Sequence, residues 1–190
     1  MKNLYRRLFG RLYWVQYSKE LSYKGEWKHG SFHGEGHLKY ANGNTFTGSF
    51  KSGTKNGFGH YKTSNGFEYI GDWLNGYQTG FGAICYKNGD LYEGDVQNGL
   101  RNGEGRFFQA SDCVWYKGAW IQGILYGHVE ISCSEWIFEG QLPEKDVISL
   151  GKLTYPDGSK YEGQILNFKR HGKGTLTAAS GEQTCGVWKD

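Results

Sequence analysis

The sequence predicts an all-β chain, an elongated, twisted, single-layer antiparallel sheet of about eight tandem β-hairpins. Three observations carry that expectation. A glycine recurs as Gly25, Gly48, Gly71, Gly94, Gly118, Gly140, Gly163 and Gly186, in steps of 22 to 24 residues, and a period of this length signifies a repeat array. Nearly all of these anchors are flanked at two residues' distance by large side chains, the spacing of one strand face. Gly supplies 31 of 190 residues and aromatics 17%, with only 2 Pro, a balance that favours strands over long helices.

The columns around the anchor repeat as well. Two residues before it stand Tyr23, Phe46, Tyr69, Tyr92, Tyr116, Phe138 and Tyr161, with Thr184 as the exception. Two residues after it stand Trp27, Phe50, Trp73, Val96, Trp120, Leu142, Ile165 and Trp188. A Gly-x-Gly follows at Gly34/Gly36, Gly57/Gly59, Gly80/Gly82, Gly103/Gly105 and Gly172/Gly174. Turn dipeptides such as Asn42-Gly43, Asn65-Gly66, Asn88-Gly89 and Asp157-Gly158 close most units. Over about residues 21–190 this pattern resembles the MORN repeat (membrane occupation and recognition nexus), whose units read roughly YxGxWxxGxxxGxGxLxYxxG. The resemblance implies a β-hairpin scaffold in cytoskeletal, ciliary or membrane-junction assemblies. Some members of that family dimerise, and others belong to axonemal complexes.

Residues 1–20 precede the regular units. Leu4, Leu8 and Leu12 are spaced by four, with Arg6, Arg7 and Arg11 interleaved and no acid before Glu20. Three readings stay open: a cap on the first sheet edge, a basic amphipathic segment for a membrane surface, or a targeting presequence. Residues 21–190 are the repeat array, with the last unit incomplete. In each unit a strand through YxGxW leads into a second through GxGxLxY, with Gly34, Gly36, Leu38 and Tyr40 expected on one face. Bringing the apolar faces together, with Tyr40 beside Phe46, requires an odd loop of three or five residues between units. Residues 110–150 depart from the pattern: Val129 stands where a Gly is expected, Ser149 replaces another, and Pro143 follows Leu142. Drift in a tolerant array and a specialised docking site both account for this stretch.

A one-layer sheet leaves part of its aromatic face uncovered, so that face is the candidate protein-binding groove. Its rings are Tyr23, Trp27, Tyr40, Phe46, Phe50, Tyr69, Trp73, Tyr86, Tyr92, Tyr116, Trp120, Tyr155, Tyr161 and Trp188. The expected occupant is a helix or extended segment of another protein, or a second copy of the chain. The alternative is a tether binding anionic lipids through Arg6, Arg7, Arg11, Lys169, Arg170 and Lys173, the last three placed in a loop.

Other functions find little footing. A net charge of +3 does not argue for nucleic acid, and no apolar run suggests a transmembrane helix. His29, His33 and His37 have helical spacing, but Gly30, Gly34 and Gly36 oppose a helix, so no metal is expected. The Gly-x-Gly pairs lack a dinucleotide loop's setting, and no catalytic constellation or cofactor is predicted. Glu26, Asp72 and Asp95 read as solubilising charges. Cys85, Cys113, Cys133 and Cys185 read as small apolar fillers in a reducing compartment, which suits a cytoplasmic, cytoskeletal or ciliary protein.

Overall fold

The computed structural model describes residues 15–18, 21–143 and 145–189, and among them every regular element is a strand. The chain divides into two compact units at Leu100/Arg101. The first contains β1 (Val15–Ser18), β2 (Leu21–Lys28), β3 (Ser31–Tyr40), β4 (Thr45–Lys51), β5 (Thr54–Lys62), β6 (Glu68–Leu74), β7 (Tyr77–Cys85) and β8 (Leu91–Gln97). The second contains all but the first residue of β9 (Leu100–Gln109), then β10 (Val114–Ile121), β11 (Ile124–Ser132), β12 (Ile137–Gln141), β13 (Ser149–Thr154), β14 (Lys160–Leu166), β15 (Lys169–Thr177) and β16 (Gln183–Lys189). Within each unit every strand pairs antiparallel with the next in chain order. Each unit is therefore an open sheet of consecutive hairpins, as the period and alternation predict.

Two kinds of turn alternate. Inside a repeat, Trp73 opposes Gln78 and Leu74 opposes Tyr77, so only Asn75 and Gly76 turn the chain. Both have positive φ, 51° and 89°, the signature of a type I′ hairpin. The same geometry recurs at His29-Gly30, Ser52-Gly53, Gln122-Gly123 and Asn167-Phe168. Between repeats the loop is longer. The Tyr40 amide donates to Asn44 O and the Gly43 amide to Tyr40 O, leaving a three-residue loop, residues 41–43. The odd length is the expected one, although the ladder sets Leu38, rather than Tyr40, opposite Phe46.

The glycines explain the period. In β2 and β3, Gly25 opposes Gly36, but the next pair is Glu26 with His33, so Gly34 and Glu35 bulge out of the ladder. Equivalent shifts occur beside Gly71 and Gly163. At the bulge Gly34, Gly80 and Gly172 take φ of 58°, 64° and 54°, so the expected sharing of one face by Gly34 and Gly36 is broken there. The aromatic two residues before the anchor then lies flat across two bare backbones. A Cβ on Gly82 would meet Tyr69 Cε2 at 2.6 Å, and one on Gly71 would meet the Tyr69 hydroxyl at 2.7 Å. Tyr161 lies likewise on Gly163 and Gly174, and Phe138 on Gly140 and Gly151.

These rings are core. Tyr23, Phe46, Tyr69 and Trp73 are buried in the first unit, with Phe32, Leu38, Phe50 and Ile84. Val129, Ile131, Phe138, Leu153, Tyr161 and Ile165 form the core of the second. Trp73 packs edge-on against Tyr69 and Phe46, with ring centres 5.4 and 5.2 Å away. Its indole N–H donates to Gly59 O at 3.3 Å, as Trp120 does to Gly105 O and Trp188 to Gly174 O. Each tryptophan thus ties one hairpin to the one before it. Turn amides add a second tie, Gly53 N donating to Phe32 O and Gly76 N to Lys55 O.

Candidate protein-binding surface

The fold uses up much of the predicted groove. Tyr23, Phe46, Phe50, Tyr69, Trp73, Tyr92, Trp120 and Tyr161 are all buried. They cannot meet a partner without unfolding the hairpins they hold together. The glycine seats make this possible, because a ring lying on backbone needs no second layer to cover its underside. Tyr40, Tyr86, Tyr116, Tyr155 and Trp188 are half-buried, and Trp27 is exposed. The accessible part of the aromatic face is therefore this smaller set.

Tyr40 and Tyr86 sit where β3 and β7 enter the loops between repeats, and Tyr155 holds the same place after β13. Each donates its backbone N–H across the loop, Tyr155 to Ser159 O at 2.9 Å, so a fixed turn geometry presents the ring. Tyr61 joins Tyr40 at 6.4 Å between ring centres, and Phe67 joins Tyr86 at 6.1 Å. Burial pushes the Tyr40 hydroxyl up to about 12, with the neighbouring Tyr61 adding to the shift.

A column absent from the sequence reading lies on the same face, seven residues after the anchor. The two-residue turn places Lys55 opposite Phe50 and Arg170 opposite Ile165. The Lys55 ammonium stands 4.4 Å from the ring centres of Tyr61 and Trp73, 5.0 Å from Phe46 and 5.5 Å from Tyr40. Desolvation pushes its pKa down to about 8. Arg170 covers Trp188 at 4.8 Å and Arg101 covers Trp120 at 4.2 Å. The signal in the sequence was the two-residue turn just before each cation, Ser52-Gly53 before Lys55 and Asn98-Gly99 before Arg101, which fixes the register and hence the column.

Polar side chains one residue after the anchor brace the backbone, Glu26 and Asp72 among them, beyond the solubilising task expected of those two. Glu26 Oε1 accepts the Glu35 amide at 3.2 Å, and Asp72 Oδ2 accepts the Phe81 amide at 3.4 Å. Gln164 Oε1 accepts the Lys173 amide at 2.7 Å. These amides belong to the bulge, where the strand ladder offers them no carbonyl. From the other side, tyrosine hydroxyls reach the bulge carbonyls, Tyr69 within 3.0 Å of Asp72 O and 3.2 Å of Thr79 O. Tyr161 does the same with Gln164 O and His171 O, both at 2.9 Å.

The opposite face is not purely polar. Phe58 and Phe81, the central residues of two Gly-x-Gly pairs, are 61% and 57% exposed, and Ile70, Leu74 and Tyr77 are exposed on the strands between and beside them. Other expectations also shift. Lys169, Arg170 and Lys173 lie on strand β15 rather than in a loop, and Arg170 is engaged with Trp188. Arg6, Arg7 and Arg11 lie outside the described residues. Cys113 and Cys185 are exposed, so they are not core fillers, while Cys85 and Cys133 are half-buried. His29 occupies a turn, and His37 contacts Thr47 Oγ1 at 2.6 Å. Among the described residues no group of three His, Cys, Asp or Glu could hold a metal, and no helix is long and apolar enough to cross a membrane.

The sequence matches the MORN repeat over residues 23–45, 46–67, 69–91, 92–114, 150–160 and 161–183. The chain belongs to the MORN repeat family. The stretch between the fourth and fifth matches, residues 115–149, lies within the 110–150 segment that departs from the pattern, yet this MORN array keeps strands β10, β11 and β12 there. No curated protein matches this sequence. Among solved structures the array is similar to a mutant TCP10 domain of Danio rerio CPAP, at 12% identity and a TM-score of 0.49, covering 94% of this chain and 90% of that one. It is also similar to the SAS-4 (dCPAP) TCP domain of Drosophila melanogaster, solved in complex with a proline-rich motif of Ana2 (dSTIL), at 13% identity and a TM-score of 0.34, covering 82% and 85%. These likenesses are too distant to carry a function across.

Proposed function

We propose that this MORN array is a non-enzymatic scaffold that holds a segment of another protein, helical or extended, within a cytoskeletal or ciliary assembly. The observation that carries the proposal is the division of labour on the aromatic face. Buried rings hold the hairpins together, and a second set, Tyr40, Tyr86 and Tyr155, stays half-open at a repeating place beside the loops, with the half-buried Tyr61 next to Tyr40. Tyrosine on a rigid turn suits recognition, because its ring offers apolar area and a hydroxyl at low entropic cost. The repeated polar side chains favour a scaffold too, since Glu26, Asp72 and Gln164 are committed to backbone amides. The cytoskeletal or ciliary setting rests on what the family implies.

Affinity capture from cell lysate tests the proposal, comparing wild type with a Tyr40→Ser/Tyr86→Ser variant shown to be folded by circular dichroism. The expected outcome is a protein retained by wild type at high salt and lost by the variant. Retention of anionic lipids alone, released by salt and indifferent to the two substitutions, would instead favour a membrane tether.

A further inference from the structure

One departure from the repeat opens a cleft. The second Gly of the Gly-x-Gly pair is the seat for a ring in four regular units, Gly36 for Tyr23, Gly59 for Phe46, Gly82 for Tyr69 and Gly174 for Tyr161. In the irregular unit that place is held by Val129, which is buried and opposes the anchor Gly118. The isopropyl group fills the seat. Tyr116, which would otherwise lie there, is only half-buried, and its hydroxyl donates to Gln109 Oε1 at 3.2 Å instead of capping the bulge carbonyls. Beside the displaced ring is a cleft of about 270 Å³, bounded by Arg101, Phe107, Gln109, Tyr116, Trp120 and Leu125, with Leu142 at its edge.

The cleft holds one full charge on its lining. The Arg101 guanidinium lies 4.2 Å from the Trp120 ring centre and 4.4 Å from that of Phe107. One of its nitrogens, Nη2, donates to Gly123 O at 2.8 Å. Among the described residues it makes no ion pair. Aromatic rings on its faces leave the planar edge of the fork as the direction for further hydrogen bonds, the geometry that matches a carboxylate. Gln109 Nε2 is already engaged with Asp112 Oδ2 at 2.7 Å and Ser111 Oγ at 3.1 Å, so Gln109 positions Tyr116 and Arg101 is left to recognise an anion. Leu125 and Leu142 give the rest of the cleft an apolar wall.

We propose that this cleft binds an aspartate or glutamate side chain of a partner segment, with a neighbouring apolar residue of that segment against Leu125 and Leu142. The proposal rests on the protein-binding function and names the chemistry of one part of the partner. A carboxylate meeting Arg101 exchanges water for two charge-assisted hydrogen bonds in a partly desolvated place, where such bonds are stronger than at an open surface.

Selection of a phage-displayed random peptide library on the whole chain tests the proposal. Wild type should enrich sequences in which Asp or Glu adjoins Leu, Ile, Phe or Trp. Against Arg101→Met those peptides should bind at least about tenfold more weakly, the loss expected for a charge-assisted pair, with Arg101→Lys intermediate. Val129→Gly restores the seat for Tyr116 and should also abolish binding while leaving Arg101 intact and the circular dichroism unchanged. Tyr40→Ser/Tyr86→Ser should leave these peptides bound. Enrichment of peptides without acids, no enrichment, or binding indifferent to both Arg101→Met and Val129→Gly would overturn the proposal. Peptides lost only with the tyrosine pair would overturn it while sparing the scaffold function.

Discussion

Tyr69 rests on the bare backbone of Gly82, so close that a single methyl group there would meet the ring at 2.6 Å. The relationship recurs along both units and explains how a sheet without a covering layer keeps large rings dry. It makes Gly82→Ala a substitution of one methyl into filled space, and overpacking of this kind costs about 1–3 kcal/mol. Gly186, on the final strand, has open space around its Cα and ordinary φ, so Gly186→Ala should change stability by no more than about 0.5 kcal/mol. Urea denaturation of the two variants beside wild type checks the contrast.

Alkaline titration reads the same seats. Desolvation comes first in raising Tyr23 and Tyr69 to about 12, with Glu26 and Asp72 respectively adding to it. A folded pKa above the unfolded value of 10.0 means that the folded chain keeps protons the unfolded chain loses. The tyrosines' contribution is therefore complete below pH 10 and is lost as pH rises toward 12. Phenolate absorbance should show a delayed class of tyrosines that ionises together with loss of β-sheet circular dichroism.

Lys55 works in the opposite sense. Its folded pKa of about 8 lies below the usual 10.5 because desolvation disfavours the ammonium. The unfolded chain then binds more protons between those values, so stability contributed by this residue rises with pH through that window. Lys55→Met should match or exceed wild type in stability near neutral pH, and the difference should shrink above pH 8. Denaturation curves at neutral and mildly alkaline pH measure it.

The bulge offers a local test. Gln164→Ala removes the acceptor for the Lys173 amide, and Tyr161→Phe removes the hydroxyl that reaches Gln164 O and His171 O. Each should cost about 0.5–1.5 kcal/mol, the usual net value of one hydrogen bond. Amide hydrogen exchange should show faster exchange at Lys173 in Gln164→Ala, with distant hairpins unaffected.

Much of the fold was legible because Gly25 and its copies are separated by nearly constant steps and their flanks alternate. The odd loop between repeats followed from keeping the apolar faces together with Tyr40 beside Phe46, although the register sets Leu38 opposite that ring. The site was less legible, and the reason is geometric. Sequence columns show that Tyr69 and Trp73 share a face but not that Gly71 and Gly82 let the first ring lie down and become buried. Alternation counted through a strand also fails at a bulge, which hid the task of Asp72 and the partnership of Lys55 with four rings. The departure at Val129 was visible as a missing Gly, but its consequence for Tyr116 required the packing.

The most direct test of the scaffold function is photo-crosslinking in cells from a benzophenone side chain placed singly at Tyr40, Tyr86 or, on the other face, Phe58. The account predicts a discrete protein adduct from Tyr40 and Tyr86. Adducts from Phe58 alone, or none from the tyrosines in a folded chain, would contradict it and move the binding surface to the face bearing Phe58 and Phe81.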